Sequence, residues 1–343
     1  DVNIGGCGWG APQQGYFSPW GIENLPDGPE GQYLTEAITD AAVQQIRGRD
    51  QTKPFFLNLW HYAVHTPIQA PEALVEKYRQ KAARLGLKAE DAIEEGEYLP
   101  CLHLQPNRVM RRRIQSDPVY AAMIEYLDTS IGRVLDTLAD EGIADDTLVV
   151  FKSDNGGLAT SESSPTCNAP LSEGKGWMYE GGTRVCQIAR WPNVVPAGTL
   201  SSEPTTTPDW YPTLLEAAGL PFDPEQHVDG KSLLPLLRGE SDSRGAIFWH
   251  YPHYSNQGGT PAAAVREGDW KLIEFFEDGH QELYNLREDI GETNDRTATE
   301  PERLRELSAK LHAWQHEIEA LFPKVNRRYV PPDAQSGVDV AEV

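Results

Sequence analysis

DTLVVFKSDNGG, residues 146–157, decides how the rest of the chain is read. Leu148, Val149, Val150 and Phe151 make a short apolar, β-branched strand, and Ser153-Asp154-Asn155-Gly156-Gly157 ends it in turn chemistry. Just upstream, Ser116-Asp117-Pro118 is a helix-start signal, and the apolar spacing behind it runs to about Asp140. Downstream, Glu180-Gly181-Gly182 leads into RVCQIARW, a second strand. Pro208-Asp209 then opens a helix, WYPTLLEAAG, that Gly219 stops. Helices alternating with strands are the grammar of a mostly parallel sheet covered on both faces.

Outward from this centre the pattern first holds and then changes. Residues 34–47 have helical apolar spacing with Thr35 or Thr39 as cap. PFFLNLW, residues 54–60, reads as a buried strand that ends at HYAVHTP. Pro71 to about Ala83 is a helix with proline in its first turn. Residues 84–113 are polar and mixed, and read as an irregular excursion. After Gly239, AIFWHY, AAAVREG, DWKLIEFF and QELYNL are closely spaced strands of an antiparallel sheet. An amphipathic helix follows from about Pro301 to Phe322, with Leu304, Leu307, Leu311, Trp314 and Ile318 on one stripe. The tail, 330–343, reads as frayed. The expected fold is α/β: a mostly parallel mixed sheet flanked by helices over 1–240, then a smaller domain of antiparallel strands and one helix over 241–343.

Composition narrows the partners. The 30 Lys and Arg against 52 Asp and Glu give a net charge of −22, which repels nucleic acid and anionic membrane surfaces. No apolar run approaches the ~18 residues of a membrane span. With 39% hydrophobic residues the chain can bury a sizeable core. Cys7, Cys101, Cys167 and Cys186 are widely spaced; one or two disulfides are open to them, and a zinc cluster is not suggested.

Three segments carry candidate chemistry. Asp154 and Asn155 sit where a strand ends, and their hard oxygens suit Ca²⁺ or Mg²⁺; the plainer reading is an Asx turn closing the strand. His65 stands before Thr66-Pro67 at the end of another expected strand, as a catalyst or as a hydrogen-bonded structural histidine. Lys175 lies between Gly174 and Gly176, where backbone can approach a ligand and an ammonium can meet an anion. The spacing is not that of a P-loop. His312 and His316 have helical i,i+4 spacing but no HExxH around them, and read as a solvated face.

In order, PFFLNLWHYAVHTPIQAP, SDNGG, GKGWMYEGGTRV, RWPNVVPAGT and DWYPTLLEAAG resemble the formylglycine-dependent sulfatases of the alkaline phosphatase superfamily. The resemblance covers nearly the whole chain, from DVNIGG and DGPEGQYLTEAITDAA to DWKLIEFFEDGHQELYNLREDIGE. It implies that Asp154 and Asn155 bind a divalent metal, usually Ca²⁺. It also implies that Lys175, in G-K-x-x-x-x-E-G-G, contacts the sulfate, and that His65, in H-T-P, lies near the sulfate and the leaving oxygen. Such a site suits a sulfate monoester, which needs cationic groups on the sulfuryl oxygens and a proton for the departing alcohol.

The family's nucleophile is a formylglycine made from the Cys or Ser of C/S-x-P-x-R, and none of the four cysteines begins that motif. Cys186-Gln187-Ile188-Ala189-Arg190 has the Arg without the Pro. The chain is therefore expected to be the C-terminal part of a sulfatase, inactive alone, with its nucleophile in an upstream segment. Alternatives are a phosphate or phosphonate ester hydrolase of the same superfamily, or a short form that binds sulfated glycans without turnover. A sulfated small molecule or glycan is the expected ligand. Trp9, Trp177, His250, His253 and Tyr254 are candidates to line a sugar site or, equally, to pack the core. His253, expected to reach the pocket from the second domain, and Trp177 are the expected substrate-binding residues. Arg111-Arg112-Arg113 would meet an anionic polysaccharide or form a solvated face. The resemblance implies export to the periplasm or the exterior; oligomeric state is left open.

Overall fold

The computed structural model describes residues 15–22, 25–226, 229–240 and 243–326. DVNIGG, Cys7, Trp9 and the tail 330–343 lie outside them.

The longest element is the helix α3, Pro118–Asp140, which packs against α1 (Leu34–Arg47) and α2 (Glu72–Arg84). It starts where the sequence indicates. The Asp117 carboxylate accepts hydrogen bonds from the amides of Val119 (2.9 Å) and Tyr120 (3.0 Å), so two of the orphan donors of the first turn are satisfied. Met123 and Ala122 on its inner face join Tyr16, Trp20, Tyr33, Leu34, Ile38 and Val75 in one apolar core. Each large side chain fully buried there contributes roughly 1.5–3 kcal/mol. α1 has the expected bounds but not the expected cap: Tyr33 precedes it with no side-chain cap, and Thr39 Oγ1 instead bonds the Thr35 carbonyl inside the helix.

Between α2 and α3 the structure corrects the expectation of an irregular excursion. Residues 84–113 hold two antiparallel strands, β1 (Ile93–Tyr98) and β2 (Arg108–Arg112). Their polar composition hides them, because charge pairs rather than apolar alternation join them. Glu94 meets Arg113 (2.6 Å), Glu95 meets Arg108 (3.1 Å) and Glu97 meets Arg111 (2.7 Å). β2 is held on its other side as well, where Met110 and Arg112 donate their amides to the carbonyls of Thr160 and Ala159.

β3 (Val149–Lys152) pairs antiparallel with β4 (Gln187–Arg190), and a one-turn helix, α4 (Glu180–Thr183), precedes β4. α5 (Trp210–Ala217) ends before Gly219, whose φ of +67° reverses the chain as a helix-stop glycine should. A short α6 (Leu234–Leu237) follows. The segment 54–60, expected as a strand, joins no ladder among the described residues, with Phe56 73% and Trp60 72% exposed. Among the described residues the ladders are antiparallel, within the mixed α/β arrangement of helices and C-terminal antiparallel sheet that was expected. An apolar run marks a buried strand only if neighbours supply its backbone partners.

The C-terminal part matches its expectation closely. β5 (Ile247–Tyr251), β6 (Ala262–Glu267), β7 (Trp270–Phe275) and β8 (Gln281–Asn285) form an antiparallel meander in chain order. Side chains alternate between its faces. Ala263, Val265, Leu272 and Leu283 face Leu307 and Leu311 of α7 (Pro301–Glu317). Ala262, Ala264, Ile273 and Phe275 face Met178 and Tyr179, from the segment that carries Lys175. Burial on both sides explains the unbroken apolar run AAAV. Ile318, placed on the stripe of α7 by its spacing, lies beyond the helix and is 46% exposed.

Candidate active site

Phenols fix the loop that presents His65. Fully buried Tyr16 donates its hydroxyl to the carbonyls of His65 (2.8 Å) and Tyr62 (3.1 Å), and Tyr62 donates its own to the Thr66 carbonyl (2.9 Å). Burial pushes the Tyr16 phenol far above its ordinary range, so it stays a donor. The His65 ring is exposed, 5.3 Å from the Tyr62 ring, with Nδ1 3.0 Å from the Thr66 carbonyl oxygen. A carbonyl accepts only, so Nδ1 carries the proton and Nε2 the lone pair. Lys175 Nζ lies 3.3 Å from that Nε2.

Lys175 reaches this position because three glycine-rich turns interlock. Its amide donates to the Gly157 carbonyl (3.1 Å), and the Gly156 amide donates to the Gly182 carbonyl (3.1 Å). A Cβ on Gly156 would sit 1.7 Å from the Gly181 oxygen, and one on Gly174 2.3 Å from the Gly157 oxygen. Only hydrogen fits at either place. Asn168, which no motif in the sequence singles out, ties the turns together. Its Nδ2 lies 2.8 Å from the Gly157 oxygen, 2.9 Å from the Glu173 oxygen and 3.4 Å from the Gly181 oxygen. Its sequence signal is slight, an Asn before a small residue and Pro170.

Asp154 is exposed at the end of β3. Asn155 Nδ2 donates to the Gly156 carbonyl (2.9 Å), so its amide oxygen is the group left to accept or ligate. A carboxylate and an amide oxygen fit a hard cation such as Ca²⁺, although they furnish only part of the roughly six to eight oxygens it takes. No cluster of three or more His, Cys, Asp or Glu suited to a metal occurs among the described residues.

The other candidates are distributed elsewhere. Trp177 Nε1 lies 3.1 Å from Thr160 Oγ1 and 3.0 Å from the Gln257 oxygen, with the Arg111 guanidinium 5.5 Å from its ring. His253 is exposed after β5 and stands edge-on to Tyr251; among the described residues no hydrogen bond or ring contact joins it to His65 or Lys175. His250 is occupied by the Leu321 carbonyl (2.9 Å) and the ring of Phe322. Tyr254 donates to Glu277. His312 meets Glu274 at 2.8 Å. The arginine run is neither a free patch nor fully solvated: Arg111 bridges Glu97 and Glu173, Arg112 lies 3.7 Å from Asp117, and Arg113 pairs with Glu94. Burial raises the Glu173 carboxyl above its ordinary value, with Arg111 opposing. Cys101, Cys167 and Cys186 are free thiols.

Comparison with known proteins follows the same residues. A family model described as Sulfatase matches residues 7–220, and one described as N-sulphoglucosamine sulphohydrolase, C-terminal, matches 173–320. A sulfatase of Formosa agariphila is 36% identical over 322 residues, covering 87% of this chain and 52% of the relative. Human steryl-sulfatase is 38% identical over 224 residues, covering 64% of this chain and 32% of its own. The crystal structure of Ps i-CgsB in complex with k-i-k-neocarrahexaose superposes with a TM-score of 0.67 at 28% identity, over 89% of this chain and 60% of that one. A structure with D-glucosamine-2-N,6-O-disulfate superposes at 0.65 with 21% identity, over 87% and 72%, a likeness of fold. The chain thus spans about half the length of the Formosa relative.

Proposed function

Since this chain belongs to the sulfatase family, we propose that the whole protein hydrolyses sulfate monoesters, with His65 and Lys175 acting on the ester. The 3.3 Å approach of Lys175 Nζ to His65 Nε2 carries the reading. It puts a cation and an imidazole on one small group, and an ester sulfate offers one pole to each. Lys175 holds a sulfuryl oxygen as negative charge gathers there. His65, with Nδ1 fixed by Thr66, presents Nε2 to the bridging oxygen; after taking up a proton from solvent at Nε2, the imidazolium delivers that proton to the departing alcohol and returns to the neutral ring.

Asp154 and Asn155 would hold Ca²⁺, whose charge would further stabilise the sulfuryl oxygens. The formylglycine implied by the resemblance would supply the attacking oxygen.

The substrate class proposed is a sulfated carbohydrate, supported by the oligosaccharide bound in the complex of Ps i-CgsB. His253 and Trp177 border it in this reading. Trp177 would contribute its ring, because its N–H is already engaged. The catalytic part is proposed to end near residue 240, and the protein to work in the periplasm or outside the cell. No helix among the described residues is long and apolar enough to cross a membrane.

The test is turnover by the purified whole protein on matched aryl sulfate and aryl phosphate. Sulfate release that exceeds phosphate release, and that falls more than about tenfold with Lys175→Ala, is the expected result. Faster phosphate release would instead assign the site to phosphoryl chemistry.

A further inference from the structure

We propose that Lys271, in the C-terminal sheet, is a positioning residue for the turns that carry Asp154, Asn155 and Lys175, and that it acts through Glu180. This rests on the site proposed above and adds to it a dependence on the C-terminal part of the chain.

Lys271 lies on β7 and is fully buried, an uncommon place for a lysine. Its Nζ is 3.0 Å from Glu180 Oε1 and 2.9 Å from Glu292 Oε1. Arg266 Nη1 (3.3 Å) and Arg184 Nη1 (3.2 Å) reach the other oxygen of Glu180. Glu292 in turn accepts the Glu180 amide through Oε2 at 2.6 Å. One residue beyond Glu180, the Gly181 oxygen occupies the space a side chain on Gly156 would need, and the Gly182 carbonyl receives the Gly156 amide. A second tie runs beside the first: Ser172 takes the Gly181 amide on its carbonyl and donates its hydroxyl to the Gly291 carbonyl (2.6 Å). The α4 turn is thus clamped from the sheet side by Lys271, Arg266 and Glu292, and from its other side it sets where DNGG sits.

Stability alone does not explain such a network. A buried ion pair gains little over apolar residues of the same volume, because desolvation offsets the attraction. What it supplies is a fixed direction: the ammonium donates to Glu180 Oε1 and is ion-paired with Glu292, and this arrangement holds α4 in place. A displacement of the order of 1 Å at reacting groups costs about a hundredfold in rate, which is the scale at which such a clamp matters.

The experiment uses the whole protein carrying Lys271→Met and, because that change strands a buried carboxylate, the charge-balanced double variant Lys271→Met/Glu292→Gln. Amide hydrogen exchange and turnover of an aryl sulfate are both measured. In the double variant, exchange in peptides spanning 154–158 and 174–182 should rise roughly tenfold or more while that of α3 stays as in the parent. kcat should fall roughly tenfold to a hundredfold with KM little changed. Parental exchange in those peptides, or a rise shared equally with α3, overturns the proposal. A parent without sulfate ester turnover refutes the functional reading instead, and the exchange measurement still decides the role of Lys271.

Discussion

Nε2 of His65 and Nζ of Lys175 stand 3.3 Å apart although 110 residues separate them in the chain. The contact has a direction. With Nδ1 turned to the Thr66 carbonyl, Nε2 accepts and the lysine ammonium donates. A bound ester sulfate replaces this contact with two of its own, the ammonium moving to an anionic oxygen and Nε2, once protonated from solvent, donating to the bridging oxygen. Different losses then follow from removing each partner.

Lys175→Ala in the whole protein should lower turnover of an aryl sulfate by more than about tenfold, the scale of removing one donor from a developing oxyanion being roughly a hundredfold or more. Lys175 Nζ approaches exposed His65, so the melting temperature should stay close to that of the parent. Steady-state kinetics and a thermal melt check both; a large loss of stability with a mild loss of turnover would make Lys175 structural.

His65→Ala should hurt substrates with poor leaving groups more than activated aryl sulfates. An alkoxide needs a proton as it leaves, whereas a nitrophenoxide departs without one. The readout is kcat/KM across sulfates of graded leaving-group pKa, whose dependence should steepen in the variant. An equal loss on all of them would leave His65 a role in holding sulfate only.

Asn168 offers a test in which the isosteric change does more harm. Its Nδ2 serves the carbonyls of Gly157, Glu173 and Gly181. Asn168→Ala removes the donor and should cost on the order of 1–3 kcal/mol. Asn168→Asp keeps the shape but sets a carboxylate oxygen against carbonyl oxygens, and should be the less stable of the two by urea titration. Equal stability of the two variants would mean that Asn168 fills space rather than ties the turns.

Signals that lie within a few residues are readable in the sequence, and those made across the fold are not. Asp117-Pro118 announces α3 because cap and first turn are neighbours, and EDGH announces the β7–β8 turn for the same reason. β1 and β2 are hidden because Glu94, Glu95 and Glu97 find their arginines only after the chain folds back. The run 54–60 misleads in the opposite sense, its composition fitting a strand whose ladder the sequence does not specify. At the site, His65, Asp154, Asn155 and Lys175 stand out through their motifs. Asn168 does not, because its three acceptors belong to other segments. Lys271 does carry a signal, a lysine among the alternating apolar residues of DWKLIEF, but nothing local names Glu180 and Glu292 as its partners.

His61 gives the protein a pH dependence separate from the site. Both its ring nitrogens are buried without a hydrogen-bond partner among the described residues, and burial lowers its pKa from 6.5 to about 4. The folded protein therefore keeps the ring neutral where the unfolded chain takes up a proton. Above pH 6.5 both states are neutral and the group has no effect on stability. As pH falls from 6.5 toward 4, the unfolded state binds the proton first and stability declines; below about 4 both are protonated and the loss levels off. Its full size is on the order of 3–4 kcal/mol, each tenfold weakening of proton affinity being worth about 1.4 kcal/mol. His61→Phe removes the titration and keeps a ring of similar breadth. Urea unfolding of parent and variant at pH 7.5 and at pH 4.5 should show the parent losing more stability than the variant by most of that amount, other titrating groups cancelling in the difference. Equal losses in the two proteins would mean that the folded state protonates His61 as readily as the unfolded chain does, and that the ring has a partner or water at its nitrogens.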